Sequence, residues 1–541
     1  MVAVRVADLR APARDGGKDG RTALTVVGAG RVRAGDAVVF CKPVAVAPAV
    51  RRRDGRVQAG GHPAQHVRLG VLEQQLDEMA GEAGVIDRVA AEITPRGEKI
   101  KGTTLRRMTM AVTLRGILLM TLMPSADYAE ILATLFGDLA AVPWHQPFAV
   151  PAGPVFGTWR EAAGPEPLLR LQEAVLAGTA REHREHDYRA VRIGDLDLRS
   201  LDGTVTRMPD TKANRAVFGT AAGDDGPYPQ IRGLLASDAF TRGTLAVVSG
   251  PSGGEKAAAE QALLDRMLTG HAPVFTKDAL WVMDRNFPGV ERLKRLTAVT
   301  HVLVRLKSDI TIRKVGDFLP DGSYLADVCG GGQSIRMRII EYHVDVAGQD
   351  VPEMFCLTTD LDDHQAYPAG MLAAAYKWRW DGSETALRED KSAIRGAGPS
   401  AGPILRSGSP DLIRQEHAAW ITACELVRCL ARAAARTAVP ARNGRRSGQQ
   451  VHPREISFTA ARRAAITAIR AGTATASLPA PVRGDGRAQV ITKLGKRRVT
   501  IDRDRHREHK AKTRQPFPAA GRDITTRTAP AVITVCRPLA A

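Results

Sequence analysis

The spacing of apolar residues divides the chain into a helical first part and a second part in which strands alternate with helices. Leu69, Leu72 and Leu76 recur at the three- and four-residue spacing of an amphipathic helix. A strongly apolar helix is predicted over 105–123. We therefore predict an all-helical amino-terminal domain over 65–180.

Near Tyr188 the period changes to that of β-strands. Further strands are predicted over 244–248, 279–283 and 299–306, with a helix over 254–267 between the first two. Strands that alternate with helices indicate an α/β sheet.

Between 310 and 356 strand patterns follow one another closely, with turns at Asp321-Gly322 and at 330–332. This stretch is predicted to be a β-rich insertion in the α/β domain. Helices resume near Met371 and again over 411–435.

Both ends of the chain differ from its middle. Residues 1–64 lack a sustained period, and 437–541 are rich in arginine, with a dense charge run over 493–514. We interpret both as largely disordered. Lysine and arginine exceed aspartate and glutamate by 77 to 58, a formal charge of +19. Such an excess is expected to attract polyanions, either nucleic acid or an acidic membrane surface, and the alternative is a soluble enzyme with a basic tail.

Several classes of protein are disfavoured. The six cysteines form no C-x2-C pair, so a zinc site is not indicated and the thiols suit a reducing, cytoplasmic compartment. The longest apolar run, 108–123, contains Arg115 and is too short to span a bilayer, and we expect no membrane association. The segment GPSGGEK at 250–256 lacks the glycine and the hydroxyl that a P-loop needs at Glu255 and Ala257.

Three acidic residues stand where one metal site could draw its ligands. Asp202 lies in an LDGT segment that we interpret as the end of a strand before a glycine turn, and Asp284 directly follows the apolar segment ALWVM. Glu384 lies on a predicted helix. Residues at the carboxyl ends of strands face the crevice in which α/β sheets bind ligands. Three carboxylates suit Mg²⁺, although each alone could be a turn or cap residue.

The segment YKWRWDGSETALREDK, 376–391, carries the most specific pattern. With the two aspartates it resembles the DDE transposases of the bacterial insertion-element-four family. That family has an Asp in a D-G-T segment, a second Asp in D-R-x-F, and a Tyr-x2-Arg-x3-Glu-x6-Lys signature. The matching residues are Asp202, Asp284, Tyr376, Arg379, Glu384 and Lys391. The resemblance covers about 65–435 and is specific only when all segments are taken in order.

One spacing departs from the family. Four residues separate Arg379 from Glu384 where the family has three. One added residue rotates a straight helix by about 100°. Either the helix has a π-bulge or a break here, which Gly382 and Ser383 would permit, or the active geometry is disturbed.

The resemblance implies a ribonuclease-H-like catalytic domain that depends on Mg²⁺ or Mn²⁺. Asp202, Asp284 and Glu384 would hold the metals, while water and then a DNA 3′-hydroxyl attack phosphorus. Arg379 and Lys391 would grip phosphates, and Tyr376 would stack on or hydrogen-bond the strand end. In relatives an aromatic of the insertion can hold a flipped base, and the aromatic residues available for this here are Phe318, Tyr324 and Tyr342.

Together these observations predict a cytoplasmic cut-and-paste transposase. Its partners are double-stranded DNA, as the terminal repeats of the element and as target DNA, and a second copy of the chain in a homodimeric DNA complex. The alternatives are a DNA-binding but catalytically inactive remnant, and a different hydrolase or basic scaffold in which the acids are structural. The predicted segments are an extension (1–64), the helical domain (65–180), the catalytic domain in two parts (188–309 and 357–436), the β-rich insertion (310–356) and the basic tail (437–541). The helical domain serves either as a packing module or as the module that binds DNA ends.

Overall fold

The computed structural model describes most of the chain between 67 and 471. The described ranges are 67–93, 108–137, 148–185, 192–220, 228–253, 260–307, 309–345, 353–394, 405–437 and 456–471, with a few isolated residues and short strand segments. The strand segments are Thr22–Ala23, Ala37–Val39, Pro48–Arg51, Val57–Ala59, Ala476–Leu478, Arg498–Thr500 and Ile533–Thr534. The predicted extension and most of the predicted tail therefore lie outside the described residues.

Six helices precede the sheet within the described residues. They are α1 (Val71–Ala80), α2 (Val85–Ala91), α3 (Met110–Leu122), α4 (Tyr128–Phe136), α5 (Gly153–Ala163) and α6 (Glu166–Glu185). Local sequence fixes where several begin: the side chain of Thr109 accepts a hydrogen bond from the Val112 amide, and that of Asp127 from the Glu130 amide. None of the described helices is both long and apolar enough to cross a membrane.

Arg115 is a charged residue within the apolar helix α3. Its side chain is fully buried, and its Nε donates to Glu73 Oε2 at 3.0 Å while Nη1 donates to Asp87 Oδ1 at 2.9 Å. A buried cation is tolerated only when it is paired in this way. The pairs connect α3 to α1 and α2.

The six helices share their core with two helices from the other end of the chain. These are α12 (Pro410–Thr437) and α13 (Phe458–Arg470). Buried apolar residues of α1 to α6 and of α12 and α13 form one continuous cluster. Helix α13 lies within the predicted disordered tail, so that prediction is wrong for 458–470: Phe458, Ala461 and Ile469 bury an apolar face.

A large mixed sheet follows. Ten of its twelve described strands are β1 (Arg192–Ile193), β2 (Leu196–Arg207), β3 (Gln230–Asp238), β4 (Thr244–Pro251), β5 (Ala279–Met283), β6 (His301–Arg305), β7 (Thr311–Phe318), β8 (Tyr324–Gly330), β9 (Gln333–Asp345) and β10 (Glu353–Thr359). The other two are the short segments Arg498–Thr500, which pairs with β9, and Ile533–Thr534, which pairs with Arg498–Thr500. The spatial order is β7-β8-β9-β10-β6-β5-β2-β3-β4, with β1 beside β2. Strands β2, β5 and β6 run parallel, and the other neighbours in this order are antiparallel.

The strands predicted as a β-rich insertion continue this sheet. Strand β10 pairs with β6 from Leu303↔Thr359 to Arg305↔Leu357, so β7 to β10 extend the sheet beyond its parallel part. The predicted turns hold glycines in the left-handed region, with φ of 84° at Gly322 and 60° at Gly331.

Helices cover both faces of the sheet. The remaining helices are α7 (Lys212–Phe218), α8 (Glu260–Gly270), α9 (Val290–Val299), α10 (Ala369–Tyr376) and α11 (Thr385–Ile394), with a π-helical turn over Trp380–Glu384 before α11. Leu201 and Met283 pack with α8 and α9 on one face, whereas Leu198 and Val282 pack with α10 on the other. Successive residues of a strand face opposite sides, so the register decides which side chains meet.

Candidate active site

Strand register brings Asp202 and Asp284 together. Leu201 of β2 is paired with Met283 of β5 in the parallel ladder, and β5 ends there. Asp202 is the next residue of β2 and Asp284 directly follows β5, and the two neighbouring strands are spaced about 5 Å apart. Both aspartates are partly exposed and follow residues of the α8 side, so Asp202 faces the side that α10 covers.

The prediction that Asp202 ends a strand is wrong. Strand β2 runs on through Gly203 to Arg207, and Asp202 is itself paired with Leu235 of β3. The strand that ends next to these two acids is β5, which stops at Met283. A Cβ atom at Gly203 would stand 2.3 Å from Oε1 of Glu260, so a side chain there would have to displace the Glu260 carboxylate.

Glu260 is a fourth acid near this edge, and sequence reasoning missed it. It is the first residue of α8, and its Oε1 lies 3.5 Å from Nη1 of Arg232. Burial raises the pKa of Glu260, the charge of Arg232 opposes the rise, and the charge of Asp284 adds to it. Glu260 stands in no recognisable motif, and the only sequence trace of its position is the glycine at 203.

The extra residue between Arg379 and Glu384 is absorbed by the π-turn, Trp380–Glu384. The amide of Thr385 donates to the carbonyl of Trp380, five residues back, where an α-helix would bond four residues back. The Thr385 hydroxyl donates to the same carbonyl at 3.1 Å. Residue 384 thus takes the place that residue 383 would have on an α-helix, and Arg379 Nη2 donates to Glu384 Oε1 at 3.0 Å. The predicted alternative of a π-bulge is confirmed.

Close packing holds the π-turn against the sheet. A Cβ atom at Gly382 would lie 2.8 Å from the Cα atom of Ala239, in the connection between β3 and β4. The buried Ser383 hydroxyl donates to the Arg379 carbonyl at 2.8 Å and lies 3.4 Å from Asp202 Oδ2. Glycine at 382 therefore allows the turn to reach the acid-bearing strand.

Arg379 lies between two of the acids. Its side chain is 8% exposed, and its Nη1 lies 3.8 Å from Asp202 Oδ2 while Nη2 holds Glu384. Burial raises the pKa of Asp202 to about 7; the charge of Arg379 opposes this rise, and the charges of Glu384 and Glu260 add to it. Burial likewise raises the pKa of Glu384; the charge of Arg379 opposes this rise, and the charge of Asp284 adds to it. Acids grouped in this way favour the binding of further positive charge.

The other predicted DNA-binding residues have different settings. Tyr376 is fully buried, and its hydroxyl donates to the carbonyl of Met283, the residue before Asp284, at 3.2 Å. The ring therefore supports the site from beneath and presents no face to a bound strand, contrary to the predicted stacking role. Lys391 lies on α11, two turns beyond Glu384, and is half-buried.

The aromatic residues of the predicted insertion are mostly core residues. Tyr324 and Tyr342 are buried, and Tyr342 stacks on Phe355 with ring centroids 5.1 Å apart. Phe318 is half-buried, with Lys314 Nζ 3.5 Å from its ring centroid. Of the three, only Phe318 offers surface for a contact with DNA.

Comparisons with known proteins add little. No protein-family model and no curated protein matches the chain. The synaptic complex of piggyBac transposase with hairpin DNA aligns with a TM-score of 0.39 and 13% identity, over 88% of this chain and 97% of that one. Endonuclease V of Bacillus subtilis aligns with a TM-score of 0.18 and 12% identity, over 38% of this chain and 81% of that one. Likenesses this weak identify neither a family nor a function for this chain.

Proposed function

We propose that this chain is a DDE transposase of the insertion-element-four type, which cleaves and transfers DNA strands by metal-dependent phosphoryl transfer. One observation carries the proposal: Asp202 and Glu384 lie 3.8 Å and 3.0 Å from Arg379, and the strand register puts Asp284 directly after the partner of the residue that precedes Asp202. The order β4-β3-β2-β5-β6, antiparallel on one side of β2 and parallel on the other, supports a ribonuclease-H-like core.

The three acids suit Mg²⁺ or Mn²⁺, because these cations prefer carboxylate oxygens and retain some of their water. As the side chains lie, no group of three or more His, Cys, Asp or Glu residues in the described part of the chain is arranged to hold a metal ion. In this arrangement the Arg379 guanidinium contacts Glu384 and lies 3.8 Å from Asp202, so a metal ion held by these acids would have to displace it. A metal bound by Asp202, Asp284 and Glu384 would supply charge for an attacking and a leaving oxygen.

The remaining residues position these groups. The Tyr376 hydroxyl donates to the Met283 carbonyl and so helps to position the backbone of the next residue, Asp284. Arg379, released from Glu384, carries a fixed positive charge that suits a DNA phosphate, and Lys391 supplies a second one. The net charge of +19 attracts both the terminal repeats and target DNA, and we infer that two copies of the chain act together on them.

The decisive experiment compares two aspartates at the two ends of β5. Asp284→Ala removes the acid at the carboxyl end, and Asp278→Ala removes an exposed aspartate just before the strand begins. On duplex DNA that carries the ends of its own element, we expect cleavage in Mg²⁺ by the wild type and by Asp278→Ala. Asp284→Ala should lose at least a hundredfold in rate while still binding the DNA.

Cleavage by Asp284→Ala at the wild-type rate would refute the proposal. Binding of element ends by the wild-type chain without cleavage, in either Mg²⁺ or Mn²⁺, would instead identify it as an inactive DNA-binding remnant.

A further inference from the structure

A cavity of about 550 Å³ lies beside strand β4, apart from the acids. Its walls come from β3 and β4 of the sheet and from helices α6, α7, α8 and α12. Register places it near the proposed active site, because Asp202 is paired with Leu235 and Leu235 with Val247, which lines the cavity. Two strand spacings separate Asp202 from Val247, about 10 Å.

The floor of the cavity combines apolar side chains with one unpaired polar atom. Phe218, Ile231 and Val247 are buried apolar residues of the lining. His417 is 2% exposed; its Nδ1 lies 3.3 Å from the Ser249 hydroxyl, and its Nε2 has no hydrogen-bond partner. The imidazole of His417 and the Ser249 hydroxyl therefore give this part of the lining its polar character.

The rim of the cavity is cationic and apolar at once. Arg266 and Arg414 are exposed, and the Arg414 guanidinium lies 5.8 Å from the Phe218 ring centroid while it pairs with Asp411 at 3.1 Å. Leu169 and Val217 line the same cavity and are 43% and 40% exposed, which is unusual for large apolar side chains in the described part of the chain.

A ligand that fits both parts has an anionic group for the two arginines, a flat apolar body for the floor, and a polar edge for His417 and Ser249. Phosphate suits arginine, and a nucleobase combines an apolar face with hydrogen-bonding edges. We propose that this cavity binds a mononucleotide, with the phosphate at Arg266 and Arg414 and the base on the floor beside His417.

The nucleotide has two sources. It is either a free nucleotide or an unpaired nucleotide of a DNA strand that is held at the acids, and the second source rests on the proposed function. Deoxyadenosine monophosphate in isothermal titration calorimetry tests the first. A duplex with a short single-stranded end, compared with the same duplex whose unpaired residues are abasic, tests the second by fluorescence anisotropy.

Two variants with matched exposure control the test. Val217→Trp places an indole at the mouth of the cavity, whereas Val299→Trp adds one at a 43% exposed position on α9, outside the lining. We expect Val217→Trp, and separately Arg266→Ala, to weaken binding of the responding probe at least tenfold, and Val299→Trp to change it less than twofold. Equal thermal unfolding of the two tryptophan variants shows that the fold is retained.

The inference is overturned if deoxyadenosine monophosphate does not bind and the abasic substitution weakens DNA binding equally in the wild type and Val217→Trp. It is also overturned if Val217→Trp and Val299→Trp have the same effect. Asp284→Ala separates the two proposals, since it should abolish cleavage and leave nucleotide binding unchanged. A chain that binds the nucleotide and never cleaves DNA would keep the cavity assignment and lose the transposase assignment.

Discussion

Adding one methyl group at Gly382 tests whether the π-turn positions Glu384. The new Cβ atom would lie 2.8 Å from the Cα atom of Ala239, whereas ordinary van der Waals contacts begin near 3.4 Å. The turn must therefore retreat by about 0.6 Å, because the obstacle is backbone rather than a flexible side chain. Overpacking of this kind costs about 1–3 kcal/mol, and the better helix propensity of alanine recovers up to about 1 kcal/mol.

The larger effect should be on activity. Glu384 is two residues from the substitution and moves with the turn, and catalytic groups must be held within about 0.5 Å of their productive position. We expect Gly382→Ala to lose about 1–2 kcal/mol of unfolding free energy. Its cleavage rate should fall roughly ten- to a hundredfold. Urea unfolding and a strand-cleavage assay on element ends measure the two quantities.

Gly270→Ala is the matched control. Gly270 ends helix α8, and a Cβ atom there would meet nothing within 4 Å, so this variant should be at least as stable as the wild type and fully active. If Gly382→Ala is as stable and as active as Gly270→Ala, the close approach to Ala239 does not position the acid.

Three further perturbations test the surrounding residues. Arg379→Ala leaves the grouped acids without their cation. Because Glu384 is 39% exposed, we expect the unfolding free energy to fall by about 2 kcal/mol, less than is usual for a broken buried pair. Mg²⁺ should restore this stability in thermal unfolding, and no response to Mg²⁺ would argue against metal binding. Tyr376→Phe removes the hydrogen bond to the Met283 carbonyl and should cost about 1 kcal/mol in urea unfolding with unchanged DNA affinity. A large loss of affinity would instead support the predicted hydrogen bond from this hydroxyl to the DNA strand end. Burial alone would raise the pKa of Glu182, but the charges of Arg432 and Arg436 outweigh it and lower the pKa from 4.5 to about 2. This carboxylate therefore stabilises the fold above pH 4.5, and its contribution is lost as the pH falls toward 2. The amount is about 3 kcal/mol, and Glu182→Gln should show a shallower decline of unfolding free energy between pH 4.5 and 3; an unchanged slope would contradict this.

The sequence could predict those features that depend on local patterns. The apolar run before Asp284 predicted β5 at its observed bounds, 279–283, and the excess residue after Arg379 predicted a π-bulge as one of its outcomes. Both follow from the periodicity of a single element, and neither requires knowledge of the rest of the fold.

Features set by distant neighbours could not be predicted in this way. Gly203 resembled a turn because nothing near it in sequence indicates that Glu260 occupies the space of its missing side chain. The burial of Tyr376 is hidden by the lysine, arginine and tryptophans that follow it. Helix α13 was missed because its apolar face is made largely of alanine within an arginine-rich segment, and only packing against α12 reveals it.

The core shared between the first helices and α12 has a consequence for synthesis on the ribosome. Helix α6 ends at Glu185, but α12, against which it packs, ends at Thr437, so 252 further residues must be made before the cluster can close. At roughly 5–20 residues per second this takes about 13–50 seconds. During that interval the nascent amino-terminal helices expose the apolar faces that α12 later covers, and the emerging chain is expected to need chaperone protection until the late helix arrives.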